Sequence, residues 1–165
     1  MEVLSFLEQL GQMPWYQGQI VHLEEVPPRT ASPAELEPPL DAKLRQSLES
    51  VGVDTLYSHQ VQAISALRDG ENVIVATPAA SGKSLCYHLP VIEALLEDRS
   101  SRALYMFPTK ALAQDQSRML SALTGDDRRV RHGIFDGDTS TQGRPDVRRH
   151  SRIVITNPDM LHIGI

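Results

Sequence analysis

From residue 72 onward, short apolar runs alternate with longer amphipathic segments, and this alternation constrains the fold of the 165-residue chain more than any other feature. The predicted strands are residues 72–76, 102–107, 130–135 and 152–156. The predicted helices are residues 85–96, 111–123 and 145–150, and Pro158 opens a further helix. Strands that alternate with helices form βαβ units, whose parallel strands are covered by helices. The sequence therefore predicts an α/β fold over residues 41–165, with a parallel sheet and helices on both faces.

The first 40 residues follow a different pattern, because prolines interrupt every longer element. These prolines are Pro14, Pro27, Pro28, Pro33, Pro38 and Pro39. We interpret residues 1–40 as an irregular N-terminal arm that begins with a weak amphipathic helix over residues 3–10. Two helices are expected next: Asp41 caps one that runs to about Val51, and Ser58 caps one that runs to Leu67.

Composition excludes several classes of protein. A hydrophobic content of 41% with 22% charged residues excludes a collagen-like or fully disordered chain. A single cysteine, Cys86, excludes an intramolecular disulfide framework and a zinc cluster within this chain. Acidic Glu2 and Glu8 replace the positive charge of a signal peptide, and no apolar run reaches about 18 residues. We therefore expect a cytoplasmic protein with no membrane partner.

The net charge of −5 is unevenly distributed along the chain. Residues 1–60 carry nine acidic and three basic residues, for a net charge of −6, whereas residues 61–165 carry twelve and thirteen, for +1. The acidic total is therefore no argument against nucleic-acid binding by the second part. Two arginine clusters occur there, Arg128, Arg129 and Arg131, then Arg144, Arg148, Arg149 and Arg152. We interpret them as solvated helix charges.

The segment Thr77–Ser84, TPAASGKS, lies between a predicted strand and a predicted helix. Backbone N–H groups at a helix N-terminus attract phosphate, and small side chains let the backbone approach it. Lys83 can reach the outer phosphates and the Ser84 hydroxyl can bind Mg²⁺. Thr77 stands where the usual pattern has glycine, and a polar turn with a solvated lysine is the alternative. The strand, loop and helix order favours a nucleotide site.

A glutamine and an aromatic residue precede this loop in the segment Tyr57-Ser58-His59-Gln60. A glutamine amide carries both a donor and an acceptor, so Gln60 could read N6 and N7 of adenine. Tyr57 could stack on the base. An exposed glutamine on a helix and a packed tyrosine are the more usual explanation of these residues, so the segment alone is a weak signal.

Three polar segments follow predicted strands: residues 107–116 (FPTKALAQDQ), 136–140 (DGDTS) and 156–161 (TNPDML). In open α/β sheets, ligands bind at the carboxyl ends of the strands. Thr109, Lys110 and the helix N-terminus after them would suit a nucleic-acid phosphate. Each segment alone also fits a turn followed by a helix cap.

Together and in this order, the five segments resemble the first RecA-like domain of a superfamily-two DEAD/DEAH-box DNA helicase of the mitomycin repair factor type. The resemblance spans roughly residues 40–165. It implies ATP-driven 3′ to 5′ translocation on single-stranded DNA with unwinding, in DNA repair, with ATP and Mg²⁺ as cofactors. PTKALAQDQ is similar to the DNA type, whereas the related RNA helicases usually have PTRELA there.

The resemblance assigns roles to particular residues. The nucleotide site would comprise Tyr57, Gln60, Thr77, Ala80, Ser81, Gly82, Lys83 and Ser84, with Lys83 and Ser84 catalytic and Ser84 on Mg²⁺. The path of single-stranded DNA would comprise Thr109, Lys110, Asp138, Thr139, Thr156, Asn157 and Asp159.

The family places an acidic DExH box soon after TNPDML, and here the chain ends first, at Ile165. The second RecA-like domain, with its arginine finger, and a C-terminal zinc-binding domain are also absent from the chain. We therefore expect an incomplete domain that binds ATP and single-stranded DNA without hydrolysing ATP alone. An RNA helicase, a translocase that remodels without separating strands, and a non-catalytic nucleotide- or nucleic-acid-binding truncation product are the alternatives.

Overall fold

The computed structural model describes residues 3–26 and 32–164. The chain divides into two compact units, residues 1–31 and 32–165. In the first unit, helix α1 (Val3–Gly11) confirms the predicted amphipathic helix. Turns follow α1, with Met13 N–H donating to the Leu10 carbonyl and Tyr16 N–H to the Met13 carbonyl. Residues 27–31 of the predicted arm lie outside the described residues.

The second unit contains five strands and six α-helices in its described part. In chain order these are β1 (Pro33–Ala34), α2 (Ala42–Ser50), β2 (Leu56–Tyr57), α3 (Ser58–Arg68), α4 (Leu85–Glu97), β3 (Ala103–Met106), α5 (Lys110–Thr124), a 3₁₀ turn (Arg128–Val130), β4 (His132–Phe135), α6 (Gly143–His150), β5 (Ile153–Thr156) and α7 (Pro158–Gly164). Strands β1 and β2 pair antiparallel, so residues 33–34 of the predicted arm belong to this unit.

The main sheet has the order β3-β5-β4, and both pairings are parallel. Tyr105 of β3 and Ile134 of β4 flank Ile155 of the central strand. The predicted parallel sheet is therefore confirmed for three of its four predicted strands. Because all three strands run the same way, the segments that follow them emerge at one edge.

The fourth predicted strand, residues 72–76, is extended but pairs with no strand in the described part of the chain. Ile74 is 96% exposed, while Val73 and Val75 on the other side line a cleft. The prediction of a buried strand was wrong here. Its residues are of the types that strands contain, but a strand also needs hydrogen bonds to the backbone N–H and C=O groups of a neighbouring strand.

Helices cover both faces of the sheet, as predicted. On one face, Tyr105, Ile153 and Ile155 pack with apolar residues of α4 and α5 in a single core. On the other face, α6 lies over β4: a Cβ atom added to Gly133 would lie 3.2 Å from Val147. Residues of this core that are fully buried include Ile64, Leu89, Leu120, Ile153 and Ile155. Among the described residues, none of the helices combines the length and the hydropathy that a membrane span requires.

Of the two predicted N-terminal helix caps, the one of α2 is confirmed and the one of α3 is wrong. Asp41 caps α2 by accepting from Lys43 N–H, at 2.9 Å, as predicted. Ser58 was predicted to cap the next helix, but it is the first residue of α3 and Tyr57 occupies the cap position. The Gln60 side chain reaches back, and its Oε1 accepts from Tyr57 N–H at 2.8 Å. The predicted serine cap is therefore wrong, and the side chain that bonds to the backbone at this helix start is a glutamine three residues after the cap.

Arg152, which we interpreted as a solvated charge, instead holds several backbone segments together. Its guanidinium donates to the carbonyl oxygens of Leu95 (2.8 Å) and Arg129 (2.6 Å). It also donates to the carbonyls of Asp98 and Ser101. These bonds join the end of α4, the turn before β3 and the 3₁₀ turn to the start of β5. The cation also suits the partial negative charge of a helix C-terminus.

Candidate nucleotide and nucleic-acid site

The loop 77–84 connects the extended residues 72–76 to α4. Leu85 N–H and Cys86 N–H donate to the carbonyls of Gly82 and Lys83, so the helix begins directly from the loop. Two loop residues adopt left-handed backbone conformations, Ala80 with φ +59° and Gly82 with φ +73°. For alanine this conformation costs roughly 1–3 kcal/mol, and such strain clusters at ligand sites. A loop of small residues that leads directly into a helix N-terminus has the local arrangement that a phosphate site requires.

Lys83 is bonded to its own loop. Its Nζ donates to the carbonyls of Thr77 (2.9 Å) and Pro78 (2.6 Å). The Thr77 hydroxyl lies 2.6 Å from the Ser81 hydroxyl, which shows how threonine is accommodated in place of the usual glycine. Phosphate oxygens would exchange with the two carbonyls as acceptors for this ammonium group.

Gln60 is buried, with 2% exposure, and supports the loop. While Oε1 accepts from Tyr57, Nε2 donates to the Gly82 carbonyl at 2.9 Å. A Cβ atom at position 82 would lie 2.5 Å from Gln60 Nε2 and would displace this amide, and the positive φ of Gly82 also favours glycine. His59 adds a contact between Nε2 and the Ser81 carbonyl at 3.0 Å. The adenine contact of Gln60 stays a prediction; its loop contact is visible.

A cleft of about 800 Å³ opens beside the loop. It is lined by residues 79–84 of the loop, and on the other sides by Leu67, Val73, Val75, Cys86, Tyr87, Phe107, Leu112, Asp115 and Gln116. Among the described residues that line it, Lys83 is the single cation and Asp115 the single carboxylate. Sequence reasoning assigned no role to Asp115 or Gln116. The sequence does show that these residues share a helix face, because Leu112, Asp115 and Gln116 have i, i+3, i+4 spacing.

The three strand-end segments meet at the carboxyl edge of the sheet. The Thr109 hydroxyl caps α5 by accepting from Leu112 N–H at 3.3 Å. Lys110 Nζ lies 2.7 Å from Asp138 Oδ1, and the two side chains are 50% and 76% exposed. This ion pair joins the segment after β3 to the segment after β4, on either side of β5. The hydrogen bond that the Lys110 ammonium donates to the Asp138 carboxylate raises the pKa of Lys110, so the ammonium stays charged.

The other predicted DNA-contacting residues differ in exposure. Thr139 closes its own turn: its hydroxyl donates to the Ile134 carbonyl at 3.1 Å. Asn157 Oδ1 accepts from Met160 N–H at 2.8 Å and so begins α7, where Asp159 is exposed. Thr156 is only 3% exposed and its hydroxyl donates to the Phe135 carbonyl at 2.7 Å. Its hydroxyl therefore bonds inside the sheet, away from the exposed edge where the sequence interpretation placed it.

We expect Gln60→Ala to weaken the binding of both ATP and GTP, and that of ATP by the larger factor. Loss of the bond to Gly82 loosens the loop for every nucleotide, and loss of an adenine contact adds to this for ATP. Calorimetric titration with each Mg-nucleotide separates the two effects. Unchanged GTP binding would contradict the loop role, and equal losses for both nucleotides would contradict the adenine contact.

The DEAD/DEAH box helicase family matches residues 57–165. The chain is similar to the uncharacterized ATP-dependent helicase YprA of Bacillus subtilis, with 44% identity over 149 residues, 88% of this chain and 20% of that protein. It is similar to the ATP-dependent helicase HRQ1 of Saccharomyces cerevisiae, with 40% identity over 164 residues, 98% of this chain and 15% of that protein.

Among solved structures, the chain is similar to the DUF1998 helicase MrfA bound to DNA and AMPPNP. The TM-score is 0.79 with 38% identity, over 100% of this chain and 23% of that one. The chain thus spans a fifth or less of the length of the two curated relatives. The family match includes the loop and all three strand-end segments described above. The chain therefore belongs to the DEAD/DEAH box helicase family, and within it to the MrfA type of superfamily-two helicase.

Proposed function

We propose that this chain is the ATP- and single-stranded-DNA-binding part of an ATP-dependent DNA helicase. The family supports helicase activity in general terms. All of this chain is covered by its similarity to MrfA, and MrfA has been crystallised with DNA and AMPPNP. The proposal includes three more specific points: a preference for DNA, the 3′ to 5′ direction and a role in DNA repair.

One observation carries it: a single helix belongs to both candidate sites. Helix α5 begins at Lys110, which lies at the carboxyl edge of the sheet beside Asp138. One to two turns later, Asp115 and Gln116 of the same helix line the cleft beside the loop 77–84. Helix α5 thus lies at both candidate sites, and in this proposal it is the element on which nucleotide and nucleic acid both act.

The residues of the loop have distinct roles in this proposal. The backbone N–H groups at the start of α4 and the Lys83 ammonium bind the outer phosphates. Ser84 lies at the N-terminal end of α4, and its side chain makes no capping hydrogen bond, so its hydroxyl suits a Mg²⁺ ion shared with the phosphates. When bound, Mg²⁺ would neutralise phosphate charge. The buried Gln60 keeps the loop in place.

Direction and substrate are tested in a protein of the relatives' length that contains this chain. Strand displacement is measured on duplexes that carry either a 3′ or a 5′ single-stranded tail, each made in DNA and in RNA. ATP-dependent displacement only of DNA with a 3′ tail is the expected result. Displacement of RNA alone, or only from a 5′ tail, would contradict the corresponding part of the proposal.

We expect the 165-residue chain to bind Mg·ATP without DNA-stimulated hydrolysis. Phosphoryl transfer needs a carboxylate that orients water and a cation that neutralises the transferring group, and an arginine finger alone contributes roughly 10³–10⁵ in rate. In the described part of the chain, no arginine lines the cleft, and its one carboxylate, Asp115, pairs with Arg118 at 3.3 Å. Phosphate release is measured with and without DNA. DNA-stimulated release that Lys83→Ala abolishes would contradict this expectation.

We expect Lys110→Ala to weaken single-stranded DNA binding about equally for all sequences. A contact to backbone phosphate carries no base information, and its loss should reduce the salt slope of the binding constant by about 0.7. Fluorescence anisotropy at several salt concentrations measures both quantities. Lys43→Ala is the matched control, since Lys43 pairs with Asp127 in a different region. An unchanged salt slope in Lys110→Ala would remove this lysine from the DNA path.

A further inference from the structure

Four polar side chains form a hydrogen-bonded cluster beside the nucleotide cleft, two of them buried and two partly exposed. This Gln116 cluster consists of Tyr87 and His88 of α4, Tyr105 of β3 and Gln116 of α5. Gln116 Oε1 lies 2.7 Å from the Tyr87 hydroxyl and 3.0 Å from His88 Nε2. His88 Nδ1 lies 3.2 Å from the Tyr105 hydroxyl, and His88 is fully buried. Three elements of the fold are thus joined through one histidine and one amide.

The bonds of the cluster determine where its protons lie. A carbonyl oxygen only accepts, so the Tyr87 hydroxyl and His88 Nε2–H both donate to Gln116 Oε1. His88 Nδ1 is then the acceptor and the Tyr105 hydroxyl donates to it. Burial lowers the pKa of His88 to about 4, so the ring is neutral at pH 7. The Tyr87 and Tyr105 rings also pack edge to face, with centroids 5.3 Å apart. Each donor and acceptor named in this cluster therefore has a hydrogen-bond partner.

The position of the cluster matters more than its internal bonds. Tyr87 and His88 lie in the first turn of α4, directly after the loop 77–84. Gln116 lies in the second turn of α5, whose first residue is Lys110. If α4 moved relative to α5, buried donors and acceptors would lose their partners, at a cost of roughly 1–3 kcal/mol each. The cluster therefore opposes a displacement of α4, which follows the loop 77–84, relative to α5, which begins at Lys110.

We infer that Gln116 is a positioning residue that couples nucleotide binding at the loop 77–84 to nucleic-acid binding at Thr109 and Lys110. The inference rests on the proposed function and adds to it a path between the two sites. Gln116 lines the nucleotide cleft, and it acts on α4 through its hydrogen bonds to Tyr87 and His88. Coupling of this kind is reciprocal: each ligand changes the affinity for the other by the same factor.

The test measures this factor directly. The affinity for Mg·AMPPNP is determined with and without saturating oligo-dT, for the 165-residue chain and its variants. We expect a ratio of about fivefold or more in the wild type, within the range usual for coupled sites. Gln116→Leu should bring the ratio below about twofold, because leucine accepts no hydrogen bond. Tyr87→Phe, which removes one hydroxyl and keeps the ring, should reduce the ratio by a smaller factor.

Two further variants separate coupling from a purely structural effect. Gln116→Glu keeps an oxygen that accepts from both donors and should retain most of the coupling. Gln114→Leu makes the same substitution at an exposed position of α5 and should leave the ratio unchanged. A change in melting temperature without a change in the ratio would show that the cluster is only structural.

The outcomes distinguish this inference from the proposed function. A wild-type chain that binds neither AMPPNP nor oligo-dT would overturn the proposed function, and the coupling with it. A chain that binds both ligands with a ratio of one would overturn the coupling alone. A ratio in Gln116→Leu or Tyr87→Phe equal to that of the wild type would also overturn it.

Discussion

Replacement of Lys83 by alanine is expected to lower the affinity for Mg·ATP at least about tenfold. Lys83 is the only cation among the described residues that line the cleft, and its Nζ already lies within the loop, bonded to two carbonyls. A hydrogen bond that involves a charged group contributes roughly 1.5–3 kcal/mol. Without it, the outer phosphates would depend on backbone N–H groups and Mg²⁺ alone.

Calorimetric titration with Mg·ATP measures this loss. Lys43→Ala is the matched control, because it removes the same charge from an exposed lysine that pairs with Asp127 and does not line the cleft. Circular dichroism shows whether both variants keep their helix content. Equal affinities of Lys83→Ala and the wild type would show that the loop is not a phosphate site.

Replacement of Arg152 by alanine is expected to lower the free energy of unfolding by about 3 kcal/mol. Its guanidinium donates to the carbonyls of four residues, and these carbonyls would lose a charged donor together. One such bond contributes roughly 1.5–3 kcal/mol. The partial exposure of Arg152 lets water replace some of the bonds, so the expected total is well below the sum.

Urea unfolding followed by circular dichroism measures the change. Arg102→Ala is the control, because Arg102 precedes β3 next to Arg152 in the sheet register and makes only long bonds, of 3.2 Å and 3.4 Å, to two carbonyls. Its loss is expected to cost less than about 1 kcal/mol. Equal losses in the free energy of unfolding would show that the carbonyl contacts of Arg152 stabilise the fold no more than those of Arg102.

Residues that act within their own segment were predictable from the sequence. Asp41 caps α2, Gly125 follows α5, and the alternation of apolar runs predicts the parallel sheet. These features depend on the backbone groups of neighbouring residues or on the period of the chain, and both are present in the sequence. The loop 77–84 was predictable for the same reason, since its small residues, lysine and serine are consecutive.

Other assignments depended on partners far along the chain. Arg152 was taken for a solvated charge because its acceptors are backbone carbonyls, which no side-chain pattern reveals. Thr156 was assigned to the exposed edge, but the Phe135 carbonyl that binds its hydroxyl belongs to a neighbouring strand. The apolar residues 72–76 had the composition of a strand and no strand partner among the described residues. In each case the deciding group lies on another element.

The α/β fold class followed from the alternation of apolar runs along the chain, and the family followed from the resemblance of five segments in order. The loop 77–84 was a candidate nucleotide site because its small residues, lysine and serine are consecutive. The contact of Gln60 with Gly82, the ion pair of Lys110 with Asp138 and the position of α5 at both sites became known from the folded chain. The partners in each of these contacts are far apart along the chain. Hydrogen bonds and ion pairs between remote residues form only when packing of the core brings their elements together, and the local pattern of the sequence contains no record of that geometry.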